Sequence, residues 1–128
     1  ARVGGDFITS HLVGMATGRS FAENAVRVAT GQRPELTTEN VLHAGVHKIM
    51  AERSGVFTGL DGLAQALAVP GVRHIVVERA AGAKVSLPPA DYMSSTLGAV
   101  LATGDSAESV RNTLQTAVGA ITPRFEQD

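Results

Sequence analysis

The sequence predicts an α+β fold, with a small antiparallel sheet covered by helices. Three observations carry that prediction. Two stretches of helical period occupy the first 31 residues. The apolar period then shortens to two, in several runs joined by glycine turns, which favours antiparallel neighbours. A capped amphipathic helix closes the chain. Helices segregated around such a sheet cover one of its faces. The 128 residues suit one domain spanning 1–128, with a helical lead-in over 1–31 and a sheet-plus-helix body over 41–122.

In chain order, residues 6–17 read as a short helix, with Asp6 as N-cap and Ile8, Leu12 and Met15 on one face. Thr17-Gly18 stops it. Residues 20–30 form a second helix, because Ser20 and Glu23 have capping-box spacing and Phe21, Ala25, Val28 and Ala29 make an apolar stripe. Gly31 falls at the C′ position. Leu42 to Ala51 is strand-like, with Leu42, Ala44, Val46 and Met50 on one face and Gly45 marking a bulge or a close contact. Val56–Gly59 reads as a short return strand and Leu60–Val69 as a helix stopped by Pro70-Gly71. Val72–Arg79 is rich in β-branched residues and is the best strand. Lys84–Leu87 is a short strand and Ser94–Ala102 a longer one. Asp105 and Glu108 start the last helix, whose buried face is Ala107, Val110, Leu114, Ala117, Val118 and Ile121. Pro123 ends it, and 125–128 read as a frayed tail.

Composition narrows the function. The net charge of −1 gives no electrostatic case for nucleic acid or an anionic membrane surface. No apolar run approaches the roughly 18 residues of a spanning helix. The absence of cysteine removes thiolate chemistry and fits a reducing cytoplasm.

Competing sites fail one by one. There is no G-x-S-x-G elbow for a serine nucleophile. His43 and His47 stand four apart without a third metal ligand, and read as half-exposed strand residues; His11 and His74 are isolated. No metal site is expected. Neither a Walker A motif nor a G-x-G-x-x-G is present. What remains is the stretch Ala1-Arg2-Val3-Gly4-Gly5-Asp6-Phe7-Ile8. Arg2 offers a planar, permanently charged fork, and Gly4-Gly5 lets the backbone approach a ligand or take positive φ. Together with a helix start these suit a carboxylate or a phosphoryl group.

This box, followed by Thr17-Gly18, by Ala29-Thr30-Gly31, and by the closing strand and helix from Leu97 to Val110, resembles the C-terminal part of ATP-grasp ligases. It is most similar to the carboxylate–amine ligases that make dipeptides and related amides; biotin carboxylase and carbamoyl-phosphate synthase are more distant. The resemblance implies the fold of their C-terminal subdomain and an acyl-phosphate route to an amide, using ATP and Mg²⁺. It implies Arg2 as the catalytic residue that binds the substrate carboxylate or the acyl-phosphate oxygens. Gly4 and Gly5 would add backbone N–H donors, and Asp6 would stand behind them or on the amine side. The family's Glu-x-Asn metal strand and nucleotide lobes precede the position of Ala1. The resemblance therefore implies a C-terminal portion whose partners are the N-terminal ATP-grasp lobes and small carboxylate and amine substrates, and which is inactive alone. The other reading is a non-catalytic α+β module for capping or homodimerisation, distinguished by a stable dimer at low micromolar concentration.

Overall fold

Everything else in the molecule is arranged about β5 (Thr96–Gly104). The computed structural model describes residues 4–38 and 41–126. In it β5 runs between β1 (His43–Met50) and β3 (Val72–Val77), antiparallel to both. Val46 stands opposite Leu101, and Ile75 opposite Val100. Leu97, Ala99, Val100, Leu101 and Ala102 have no exposed surface at all. Each large side chain among them contributes about 1.5–3 kcal/mol by leaving water. The alternation expected along this strand does not separate a wet face from a dry one, because both faces are covered. Its limits also shift: Ser94 and Ser95 lie in a turn, and the strand extends to Gly104.

One face is covered by α4 (Ala107–Gly119), whose Val110, Leu114 and Ala117 join Val100, Ala102 and Ile49 in the core. Gly45 is the close contact foreseen on β1, set against Val110 and Leu114. The N-cap of α4 is Ser106, not Asp105: the Ser106 hydroxyl accepts from the Ser109 N–H at 3.1 Å. Ala107, expected on the buried face, is exposed.

The other face carries the lead-in segment. It comprises a π-helical turn (Ile8–Leu12), α1 (Val13–Thr17) and α2 (Phe21–Ala29). The Leu42 N–H donates to the Ala16 carbonyl at 2.8 Å, tying α1 to the approach of β1. Ser20 caps α2 by accepting from the Glu23 N–H, as the capping box predicts, and Gly31 follows at φ 76°. The stripe Phe21, Ala25, Val28, Ala29 does not face the core. It lines an apolar groove of about 580 Å³ between α2 and residues 34–38.

A second three-stranded sheet, absent from the sequence reading, has the order β4 (Lys84–Val85), β2 (Gly55–Asp61), β6 (Thr122–Phe125). β2 is not a return strand against β1; it pairs with β4 and β6. It also takes Leu60 and Asp61 from the expected helix, leaving α3 as Leu63–Leu67. The supposed frayed tail is therefore partly a strand. Phe125 meets fully buried Phe57 edge-on at 6.0 Å, which explains why the chain stays ordered past Pro123.

Candidate functional site

The turn Gly4–Phe7 sits on the sheet face opposite α4, above β1 and β3. Arg2, the expected catalytic residue, lies outside the described residues. Gly4, Gly5 and Asp6 are all exposed. The Gly4 carbonyl accepts from Thr9 Oγ1 at 3.0 Å, and the Gly5 carbonyl from the Ile8 N–H at 3.1 Å. A Cβ added to Gly5 would meet no heavy atom within 4 Å, so the backbone there is open to an approaching group.

Asp6 does not cap the helix. The left-handed conformation, which the glycines could adopt most easily, falls instead on Asp6 (φ 51°) and Phe7 (φ 63°). Phe7, not Asp6, stands at the N-cap position, and no side chain caps the helix there. The Asp6 carboxylate faces β1, with Oδ1 3.5 Å from Lys48 Nζ. The same ammonium donates to Glu78 Oε1 at 3.1 Å and stands 4.8 Å from the centre of the Phe7 ring. Phe7 in turn packs edge-on against His11, at 5.4 Å between ring centres, and His11 against His74 at 5.6 Å. Two histidines read as isolated in sequence thus meet in the fold and pin the turn.

Lys48, Glu78, His11 and His74 escaped the sequence reading because long-range topology brings them together. One signal was present: Lys48 is the one Lys, Arg, Asp or Glu in the strand His43–Met50, two residues from Val46 and next to Ile49. His43 and His47 are exposed as expected, on the β1 face toward α4. They lie beside a groove of about 370 Å³ that Arg111 and Gln115 also line. Among the described residues no group of three His, Cys, Asp or Glu could hold a metal ion. No helix among them is long and apolar enough to cross a membrane.

Just before β5, Asp91 accepts from the N–H groups of Met93 and Ser94 at 2.7 and 3.2 Å. These bonds, led by the one from Met93, hold the carboxyl below its ordinary range. Arg79 donates to the carbonyls of Thr96 and Met93, so the loop carrying exposed Tyr92 and Met93 is fixed at its base.

The fold recurs in known enzymes. An L-amino acid ligase from Bacillus licheniformis superimposes with a TM-score of 0.81 at 22% identity, over 99% of this chain and 31% of that one. A phosphoribosylglycinamide synthetase from Anaerococcus prevotii gives 0.79 at 12% identity, over 98% and 32%. An N5-carboxyaminoimidazole ribonucleotide synthetase from Thermotoga maritima gives 0.61 at 19% identity, over 90% and 30%. The chain thus spans about a third of the length of these solved relatives. No curated protein sequence matches it significantly. The profile of the L-amino acid ligase C-terminal domain 2 matches residues 47–126, which take in the second sheet, the first sheet except the start of β1, and Lys48, His74 and Glu78. The α+β fold and the resemblance to the C-terminal part of ATP-grasp ligases agree with these matches, and the chain belongs to the L-amino acid ligase C-terminal domain 2 family.

Proposed function

We propose that this chain serves an ATP-dependent carboxylate–amine ligase that forms an amide through an acyl phosphate. Its own contribution is the turn Arg2–Asp6. The observation that carries this reading is the open, left-handed turn at Gly4–Phe7, set on the sheet of a ligase-family domain. A left-handed pair on two non-glycine residues is retained only where the surroundings over-determine it, and such strain concentrates at ligand sites. Among the described residues no group of three His, Cys, Asp or Glu could hold a metal ion. We therefore assign ATP and Mg²⁺ to the remaining lobes of the ligase. When bound there, ATP supplies the phosphoryl group that activates the carboxylate.

Within this chain, Arg2 pairs with the negative oxygens of the activated substrate, and the Gly4-Gly5 backbone gives it close access. Asp6, exposed in the same turn, would stand on the amine side, its carboxylate accepting a hydrogen bond from the incoming neutral amine. The neutral amine nitrogen bonds to the acyl carbon, the carbon–oxygen bond to phosphate breaks, and the proton that the nitrogen loses passes to the departing phosphate. The exposed apolar groove of α2 is the surface on which the ligase lobes would rest.

The test is hydroxylamine trapping with this chain joined to its ligase lobes. ATP and a suitable amino acid should yield a hydroxamate and ADP. Arg2→Ala should lower that yield about 10²–10³-fold, the range for losing one oxyanion donor. An Arg2→Ala enzyme of unchanged rate, or amide formation without a trappable acyl group, overturns the reading.

A further inference from the structure

The turn at Gly4–Phe7 is held in a conformation that its own side chains disfavour. For an L-residue the left-handed region brings Cβ toward the following carbonyl oxygen. Asp tolerates this by local hydrogen bonding; Phe does not. Two such residues in succession, at φ 51° and 63°, need an external hold.

One side chain reaches both. Lys48 Nζ lies 3.5 Å from Asp6 Oδ1 and 4.8 Å from the centre of the Phe7 ring. Its stem rises from β1, and its third contact is Glu78, just beyond β3, at 3.1 Å. The hold is therefore anchored on both strands that flank β5. It also joins two parts of the chain, since Lys48 and Glu78 lie within the matched family domain and the turn lies before it.

Charge decides what Lys48 does there. Its one positive charge faces two carboxylates, so the cluster sums to −1 (+1 − 2). An ammonium so placed has no surplus charge for an anionic substrate. We propose that Lys48 is a positioning residue: with Glu78 orienting it, it clamps Asp6 and Phe7 in the left-handed conformation and so sets the direction of the Gly4–Asp6 backbone toward the acyl phosphate. The aim of this clamp rests on the reading under Proposed function; the clamp itself does not.

The experiment is backbone NMR on the 128-residue chain with acetyl phosphate as the probe. Lys48→Met keeps an unbranched apolar stem and removes the charge, so a packing role alone would leave it silent. Lys48→Arg restores the charge. Wild type is expected to show the short intraresidue amide–Hα distances of left-handed residues at Asp6 and Phe7, and acetyl phosphate should shift the Gly4, Gly5 and Asp6 amides. Lys48→Met should lose the short distances and bind acetyl phosphate about tenfold more weakly, the factor that releasing one left-handed residue is worth. Lys48→Arg should restore both, and Glu78→Gln should fall between. Retention of the left-handed pair and of wild-type affinity in Lys48→Met overturns the clamp. If Lys48→Met fails to fold, Glu78→Gln carries the same test with the packing intact. Loss of the pair in Lys48→Met, with no amide shifted by acetyl phosphate in any variant, upholds the clamp and overturns the acyl-phosphate reading.

Discussion

Gly45 and Val110 are in a contact that admits no side chain at position 45: a Cβ there would stand 2.8 Å from Val110 Cγ1 and 3.1 Å from Leu114 Cδ1. This absence lets α4 lie close on β1. Gly45→Ala should destabilise the fold by about 1–3 kcal/mol, the usual effect of overpacking a filled core. Val110→Ala alone should also destabilise. The double variant should be less unstable than the sum of the two, because the shortened Val110 makes room for the new methyl group. Urea unfolding of the four proteins measures this coupling.

The start of α4 rests on one hydroxyl. Ser106→Ala should cost about 1 kcal/mol, by leaving the Ser109 N–H without its acceptor. Asp105→Ala should stay within about 0.5 kcal/mol, since Asp105 precedes the cap and makes no capping bond. A larger loss for Asp105→Ala than for Ser106→Ala would place the cap at Asp105 instead.

The last strand holds the second sheet closed. Phe125→Ala should destabilise by about 2 kcal/mol, less than for a fully buried phenylalanine because Phe125 is only half-buried. It uncovers Phe57 and also removes the ring on which the Arg53 guanidinium rests at 5.1 Å. Phe125→Leu should recover most of that loss. A thermal melt of each variant decides the matter, and an unchanged midpoint for Phe125→Ala would argue that β6 contributes nothing to stability.

Asp91 gives the loop before β5 a pH dependence of known sign. Its folded carboxyl titrates below the ordinary range, chiefly through the Met93 N–H and then through Ser94. Because the folded value is depressed, the contribution is complete above the unfolded value and is lost as pH falls through the folded one. The amide signals of Met93 and Ser94 should therefore shift in a single step whose midpoint lies below that of an unstructured aspartate. In Asp91→Ala that step should vanish, and the difference in loop protection between the two proteins should shrink in acid.

The elements legible in the sequence were those whose signal is local. The capping box at Ser20 and Glu23 needs only neighbouring residues, and it placed α2 correctly. The β-branched run at Val72–Val77 likewise marks a strand wherever it packs. Apart from the start of α4, where the cap shifts by one residue to Ser106, the misreadings involve partners far away in sequence. β2 was assigned to β1 because a turn joins them, but its partners begin at Lys84 and Thr122. Asp6 resembled an N-cap because nothing nearby revealed that Lys48 attracts it to the other side. The strand alternation in β5 failed because two layers cover it, and alternation reports a wet face that this strand lacks. For the site, the sequence supplied the Gly-Gly turn and its chemistry. The supporting side chains from β1 and β3 became visible only once the strands were laid side by side.

β5 also governs when the molecule can exist during synthesis. β1 and β3 each pair with it and not with one another, and its last residue is Gly104. A ribosome that has released β1 and β3 has released the two edge strands of a sheet that still has no centre. Pairing of Val46 with Leu101 must close a loop of more than fifty residues before any of its contacts can form. Such long closures slow folding and leave apolar edges open in the meantime. The main sheet therefore cannot close before Gly104 has emerged, and until then the apolar edges of β1 and β3 lack the strand that pairs with both.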